Sequence, residues 1–162
     1  MNPPKTINPA VLLQVIKVNL LRRPLWQLAT VSDCLDMPRE EIEAEIESGK
    51  IPWAFNIAAT TKTRQETRVL GACIVERAMG PVNGIGATQN MQLPEVLNLV
   101  LPARDIRSTE LQRIFSCTHQ HVYQLANNFR VTRKPESHDG PESCTVFARA
   151  SVASFLGERR IL

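Results

Sequence analysis

The sequence has few of the patterns on which small enzymes are built. Its four cysteines are scattered and form no C-x-x-C pair: Cys34, Cys73, Cys117 and Cys144. That spacing excludes a zinc ribbon and a dithiol redox motif, and buried free thiols are the simpler interpretation. No Gly-Lys-Ser/Thr follows the glycines between Gly80 and Gly86, and no G-x-S-x-G is present, so a P-loop and a hydrolase nucleophile are not expected.

We therefore expect no cofactor, no metal and no catalytic residues, and do not expect an enzyme. His119 and His121 are two residues apart, so on a helix they point to different sides and do not share a metal. Acid-base chemistry assembled in space from distant residues is the enzymatic alternative that remains open.

A long hydrophobic run is also missing. The stretch Val11 to Leu21 is too short to span a bilayer and contains Lys17. It lacks the basic start and the small-residue cleavage site of a signal peptide. We expect a cytoplasmic protein with no membrane partner and no small-molecule substrate.

An excess of one charge is confined to one part of the chain. The net charge is +3, and residues 1–100 contain ten Lys/Arg and ten Asp/Glu, whereas residues 101–162 contain nine and six. The 43% hydrophobic and 22% charged residues indicate a folded chain. A length of 162 residues suits one domain or two small ones, and the surplus charge favours a polyanionic partner for the C-terminal part.

The N-terminal part contains a strongly apolar segment. A helix is predicted from Pro9 to Arg23, with apolar residues on more than one face. Such an excess predicts burial against a second copy of the chain, hence a homodimer involving residues 1–23. Packing inside the monomer is the alternative.

Residues 24–78 are predicted to form a first unit of two short helices, a hairpin and a third helix. Thr30 and Asp33 resemble a capping box, and Pro38 suits the first turn of the second helix. Gly49 suits the left-handed position that ends that helix. The β-favouring runs between Ile51 and Leu70 predict the hairpin, and Gly71 to Arg77 the closing helix.

Residues 79–106 are predicted to be a linker with a short helix, because Met79 to Pro94 is rich in glycine and proline. Residues 107–162 are predicted to repeat the first plan. Thr109 and Gln112 resemble a capping box, and the remaining predicted elements are a helix to Phe115, a helix Thr118 to Asn128, strands in FRVTRK and CTVFA, and a helix Ser151 to Glu158.

An internal repeat accounts for this similarity. A shift of 80 residues without gaps superimposes seven apolar positions: Val31 on Leu111, Cys34 on Ile114, Leu35 on Phe115, Met37 on Cys117, Ile42 on Val122, Ile46 on Ala126 and Ile51 on Val131. In a helix-turn-helix, apolar residues one turn apart seat the first helix on the second, and a small apolar residue plugs the turn. Chance coincidence of common apolar residues is the alternative.

The run TELQRIFSCTHQHVYQLANNFRV, followed by a hairpin and FARASVASFL, resembles the winged helix-turn-helix of the MerR and excisionase type, which also includes small subunits of phage terminases. The resemblance covers residues 108–156, with a weaker copy over residues 30–77. It implies an α+β fold, mainly α with small β-hairpins, arranged as two tandem winged helix-turn-helix units.

The resemblance has two departures. Asn127 and Asn128 stand where the family has a glycine after the second helix, a place that Asn tolerates. The long coiled-coil helix and effector domain of MerR regulators have no counterpart here, so ligand-responsive activation is not expected. What remains implied is binding of duplex DNA in transcription regulation, recombination or phage DNA handling.

Helix Thr118 to Asn128 is the predicted reading element. With Val122, Leu125 and Ala126 facing the core, the outward residues are His119, Gln120, Tyr123, Gln124 and Asn127. Gln and Asn pair with adenine in the major groove, and His119 and Tyr123 are expected to contact phosphates. A solvated polar helix face is the plainer interpretation.

The predicted wing supplies cations. Phosphate contacts are expected from Arg130, Arg133 and Lys134, with Arg113 and Arg149 nearby. With about four or five phosphates contacted, the log-log salt slope of binding is expected near −4.

The first unit differs, because its second helix carries five glutamates: Glu40, Glu41, Glu43, Glu45 and Glu47. Phosphates repel such a helix, so it is predicted to face solvent or a protein partner. Any DNA contact from this unit is then expected from its hairpin, through Lys62, Arg64 and Arg68. The acidic helix also favours the alternative function, a protein interaction module that kept the fold without reading DNA.

Overall fold

The structure is a computed structural model that describes residues 23–60, 65–80, 87–128, 130–134 and 145–161. It has an α+β fold in which seven α-helices surround small antiparallel sheets within those ranges. None of the helices there is long and apolar enough to cross a membrane. The predicted helix from Pro9 and its role in dimerisation lie outside the described residues, and Arg23 itself belongs to no helix.

The first half of the chain contains the two helices, the hairpin and the closing helix that the sequence predicts. Its elements are β1 (Leu25–Gln27), α1 (Leu28–Leu35), α2 (Arg39–Glu47), β2 (Ala54–Asn56), β3 (Thr67–Leu70) and α3 (Gly71–Met79). Strand β1 was not predicted, because three residues are too few to show a period of two.

After a short connection, the second half again contains a strand, a helix pair and a closing helix, but it has one strand before the closing helix and another after it. A 3-10 turn (Thr88–Asn90) and α4 (Leu93–Val100) lead into β4 (Ile106–Arg107), α5 (Ser108–Phe115), α6 (His119–Asn127), β5 (Val146–Phe147), α7 (Arg149–Glu158) and β6 (Arg160–Ile161). The predicted strand in FRVTRK is present only as a bridge from Arg133 to Phe147.

Strand pairing joins the two halves. The larger sheet has the order β1-β3-β2-β6, so the last strand of the second half adds to the sheet of the first. Strands β4 and β5 pair separately. A single apolar core runs through both halves and includes Trp53, Phe55, Phe115 and Phe147. The two predicted units are therefore packed as one body over the described residues.

The connection between the halves is partly packed. Thr88 is buried, and its carbonyl accepts a hydrogen bond from the indole N–H of Trp53 at 2.7 Å. Its own N–H donates to Glu76 at 2.9 Å. The linker was predicted to start at residue 79, but Met79 is still the last residue of α3. Thr88, within the predicted linker, contacts the first half.

The predicted helix starts need correction. Thr30 lies inside α1, which begins two residues earlier at Leu28, so Thr30 and Asp33 form no capping box. In α5 the carboxylate of Glu110 accepts a hydrogen bond from the N–H of Arg107 at 3.0 Å. Glu110 therefore has the capping role that was predicted for Gln112. Both helices begin directly at the end of a strand, and the strand residue sets the start.

The turn chemistry at the other helix ends is closer to prediction. Gly49 has φ of +76° just beyond α2, the left-handed position that favours glycine. Pro38 precedes the first helical residue of α2 and does not lie in its first turn. Thr118 caps α6 by accepting from the N–H of His121 at 3.2 Å.

The turns between the paired helices have the same backbone in both halves. Asp36 and Ser116, which are 80 residues apart, both adopt a left-handed conformation with φ of 51° and 47°. The next residue donates back to the first helix in each case, Met37 to Ser32 and Cys117 to Gln112. The two helix pairs of the chain are therefore built alike, at the offset that the sequence indicates.

Candidate nucleic-acid interface

Helix α6 is held by an apolar face that the sequence pattern indicates. Val122 and Leu125 are fully buried, and Ala126 packs against the core. Because these three residues recur at helical spacing, the opposite side of α6 is left for polar residues.

That opposite side is exposed to solvent. It consists of five residues, which we call the α6 polar face: His119, Gln120, Tyr123, Gln124 and Asn127. Tyr123 has 52% of its surface exposed, more than the other two exposed large hydrophobic residues of the described ranges, Met79 and Leu99. His119 lies 3.3 Å from the amide nitrogen of Gln112, so its ring is placed by α5.

Arg133 lies over the α6 polar face. Its guanidinium is 5.1 Å from the centre of the Tyr123 ring, and it donates to the side-chain oxygen of Asn127 at 3.4 Å. The side chain of Lys134 pairs with Asp105 at 2.6 Å. The pairing with Lys134 lowers the pKa of the Asp105 carboxyl. Of the two neighbouring cations of the predicted wing, Arg133 therefore contacts α6, whereas Lys134 pairs with Asp105.

Two further predicted cations lie near α6 and are exposed. Arg113 is on α5, where its Nε donates to the carbonyl of Thr109 at 3.4 Å. Arg130 follows α6 and donates to the carbonyl of Ala59 at 3.4 Å. Both keep guanidinium donors beyond these long contacts, because each side chain has five N–H groups.

The first half flanks α6 on one side. His121 contacts the carbonyl of Ile57 at 2.6 Å, so it points to the first half and not to solvent. Together with the contact from Arg130 to Ala59, it fixes the segment after β2 beside α6. The sequence carries no signal for this contact, since its acceptors are backbone carbonyls more than 60 residues away.

Arg68 is not available for a phosphate, contrary to the prediction. It is buried, and its Nε donates to the carbonyl of Phe115 at 2.7 Å, while Nη2 donates to that of Ser116 at 3.1 Å. Desolvation by burial lowers its pKa. Ser116 also donates from its hydroxyl to the carbonyl of Leu25, and it accepts from the amide of Gln27. Arg68 therefore anchors the turn that leads into α6.

Arg149 is also used internally. Its Nε donates to the carbonyl of Pro102 at 2.6 Å and its Nη2 to Asn98 at 2.9 Å. These contacts tie the start of α7 to the end of α4, so the predicted phosphate contact from Arg149 does not fit this arrangement. The other two predicted backbone contacts, Lys62 and Arg64, lie outside the described residues.

Helix α2 occupies the place in the first half that α6 occupies in the second. Four of its five glutamates keep solvent contact, and Glu43 is paired with Arg39 at 2.8 Å. The fifth, Glu45, is buried and forms an ion pair with Arg77 of α3. The face that corresponds to the α6 polar face is thus acidic.

The described cysteines are not activated. Burial raises the pKa of Cys73 to about 11 and that of Cys117 to about 12, and it also raises the pKa of Cys34. A thiol with a raised pKa is a poor nucleophile near neutral pH. Within the described ranges, no three His, Cys, Asp or Glu side chains gather as metal ligands.

Comparisons of the chain with protein families, with curated proteins and with solved structures find no match.

Proposed function

We propose that the protein binds duplex DNA, with α6 entering the major groove and Arg133 lying on the backbone beside it. The observation that carries the proposal is the α6 polar face, which is exposed, uncharged at Gln120, Gln124 and Asn127, and bordered by a cation. An α-helix fits the major groove, and Gln or Asn side chains there form paired hydrogen bonds with adenine.

The proposed fold is a pair of winged helix-turn-helix units of the MerR and excisionase type. Support comes from the order strand, helix, helix, strand, helix at the centre of the second half, which matches the first half with one hairpin strand reduced to the bridge from Arg133 to Phe147, and from the same left-handed turn in both halves. In this arrangement Arg133 belongs to the wing of the second unit. The roles that go with the proposal are transcription regulation, recombination or phage DNA handling.

Contacts to phosphates are proposed for Arg113, Arg130 and Arg133. Arg68, Lys134 and Arg149 are not included, because their contacts within the protein are short, at 2.6–2.7 Å, whereas the hydrogen bonds of the other three arginines are 3.4 Å long. With about three phosphates neutralised, the slope of log K against log salt is expected near −3. Affinity for random duplex should then be moderate, with additional affinity for sites that match the α6 polar face.

The experiment is fluorescence anisotropy of the full chain with a labelled random duplex over a series of salt concentrations. We expect saturable binding at low salt with a slope near −3. A random-duplex library then supplies the preferred site. No binding at low salt, together with no retention on heparin, would contradict the proposal.

A protein interaction module is the second candidate. It is favoured by the exposed glutamates of α2 and by the internal partners of three predicted phosphate contacts. In that case α2 would present carboxylates to a basic partner. The anisotropy experiment separates the two functions, because an interaction module has no salt-dependent affinity for random duplex.

A further inference from the structure

The two halves of the chain form a polar groove next to the start of α6. The groove has a volume of about 320 Å³ and lies between the segment leading into β1 and the exposed side of α5. Arg23 and Gln27 line it from the first half, and Thr109, Gln112 and Arg113 from the second. Thr118, the residue that caps α6, also lines it.

The groove is basic. Arg23 and Arg113 are both exposed, and neither is paired with a carboxylate among the described residues. The single carboxylate of α5, Glu110, forms its ion pair with Arg104 and does not line the groove. Two guanidinium groups face a space with no neutralising acid in the described lining, which is the electrostatic condition for holding an anion.

The remaining lining suits a phosphate as well. Gln27, Gln112 and Thr109 are neutral hydrogen-bonding residues, so they can add donors without adding negative charge. The charge pattern of the sequence points the same way. No Asp or Glu occurs before Asp33, whereas the chain has four cationic residues by Arg23.

The position of the groove identifies the source of the phosphate. Gln112, which lines the groove, also contacts His119 of the α6 polar face at 3.3 Å. A duplex that receives α6 in its major groove therefore brings one of its strands past this groove, since the backbone borders the major groove.

We infer that this groove binds phosphodiester groups of the duplex backbone, with Arg23 and Arg113 as the two cations. The inference rests on the proposed function and adds to it a contact from the first half. Arg23 is then a phosphate-binding residue that composition and spacing do not reveal. With Arg23 included, about four phosphates are neutralised and the expected salt slope is about −3.6.

The test compares the full chain with the double variant Arg23→Gln/Arg113→Gln on a labelled random duplex. Loss of two phosphate contacts should make the salt slope shallower by about 1.8. By the same slope, affinity at 0.1 M salt should fall on the order of 50-fold and converge with that of the parent near 1 M. Both side chains are exposed, so the variant is expected to fold, and thermal unfolding checks this.

The control is Arg39→Gln/Lys50→Gln, which removes two exposed cations from the first half away from the groove. It changes the net charge equally, and the slope should stay within about 0.5 of the parent, because distant charges are screened.

The possible outcomes separate the two claims. A slope that is shallower by about 1.8 for the groove variant alone supports the inference, whereas a change of about 0.9, which loss of Arg113 alone would give, overturns it. Binding by the parent with an equal slope in both variants also overturns the inference and removes Arg113 from the phosphate contacts, but it leaves duplex binding through α6 and Arg133 in place. Absence of duplex binding by the parent overturns both.

Discussion

The two halves of this chain contain helix pairs joined by the same left-handed turn, but they differ in the helix that each presents to solvent. Helix α6 exposes His119, Gln120, Tyr123, Gln124 and Asn127, whereas the residues 80 positions earlier are Arg39, Glu40, Glu43, Ala44 and Glu47. Under the proposed function, one copy reads bases and the other is barred from phosphates by its charge. Two similar helix pairs would thus differ in what they bind through the chemistry of a single helix face.

The first half also contributes to the position of α6. Its β1 and β3 hold the turn before α6 through Arg68, Gln27 and the carbonyl of Leu25. The matching turn of the first half, at Asp36, is exposed to solvent. The first half therefore acts as a support that fixes the orientation of α6.

The largest expected effect on the free energy of unfolding concerns a buried position that holds a charged residue in the first half and an apolar residue in the second. Glu45 pairs with Arg77, and the corresponding residues are Leu125 and Phe155, at offsets of 80 and 78. The second offset is taken from the strand pairing. Trp26 and Ile106 are 80 residues apart, and their strand partners, Val69 and Phe147, are 78 residues apart.

We expect Arg77→Phe to destabilise the protein by about 2 to 3 kcal/mol, because it leaves Glu45 buried without its cation; the exposure of Arg77 to solvent keeps the effect at the low end for a broken pair. Adding Glu45→Leu should return the free energy of unfolding to within about 1 kcal/mol of the parent, since it removes the buried carboxylate that was left unpaired. Urea denaturation of the parent, both single variants and the double variant measures this. Additive effects of the two substitutions would show that the halves do not correspond here.

Arg68→Ala is expected to cost about 2 kcal/mol of stability, because the carbonyl of Phe115 loses its buried donor. The variant should also discriminate less between the selected DNA site and a single-base variant, while its salt slope stays that of the parent. Arg68→Lys keeps the charge but not the forked donor geometry, and should show the same loss of discrimination. An Arg68→Ala protein with unchanged discrimination but a shallower slope would make Arg68 a phosphate contact after all.

A pH effect is expected from Glu110 in the second half. Glu110 hydrogen-bonds to Arg104 and to the N–H of Arg107, and this holds its pKa at about 2. A carboxyl with a lowered pKa in the folded state stabilises the protein above about pH 4.5 and loses that contribution as the pH falls towards 2.

Glu110→Gln should reduce stability at pH 7 by about 1 kcal/mol, a modest figure because Arg104 is exposed and the pair is screened by solvent. The difference between parent and variant should shrink between pH 5 and pH 2 in urea denaturation. A difference that is constant over this range would contradict the assigned pKa.

The smallest expected effect is on DNA affinity through the acidic face. Changing Glu40, Glu41 and Glu47 to Gln removes three exposed charges from α2. Affinity for random duplex should rise by about two- to fivefold at low salt, because long-range repulsion is reduced, and the gain should vanish near 0.3 M salt. A gain in discrimination between sites would instead place α2 at the bases.

Much of this architecture follows from the pattern of the sequence. The helix pairs, the hairpin in the first half and both closing helices are predicted from the sequence, the hairpin from its β-favouring runs. The 80-residue repeat is matched by paired left-handed turns at Asp36 and Ser116. Strands β1, β4 and β6 are two or three residues long, so they carry no readable period. The predicted capping boxes were wrong because α1 and α5 begin earlier than predicted, directly after β1 and β4.

The candidate site also has a part that the sequence predicts and a part that it does not. The outward side of α6 is predictable because Val122, Leu125 and Ala126 fix the opposite side. The distant partners of Arg68 and Arg149 are not predictable, because the closest acceptor of each is a backbone carbonyl 47 residues away in sequence. A sequence shows that a cation is present but not which oxygen it meets.

The most direct test of the account is the ratio of affinities for the selected site and a single-base variant of it. We expect Gln120→Ala/Gln124→Ala to reduce this ratio by about tenfold, corresponding to one lost base contact, with an unchanged salt slope. The matched control Glu40→Ala, at the position of Gln120 in the other half, should leave the ratio as it is. An unchanged ratio in the Gln120→Ala/Gln124→Ala protein would contradict the assignment of α6 as the reading helix.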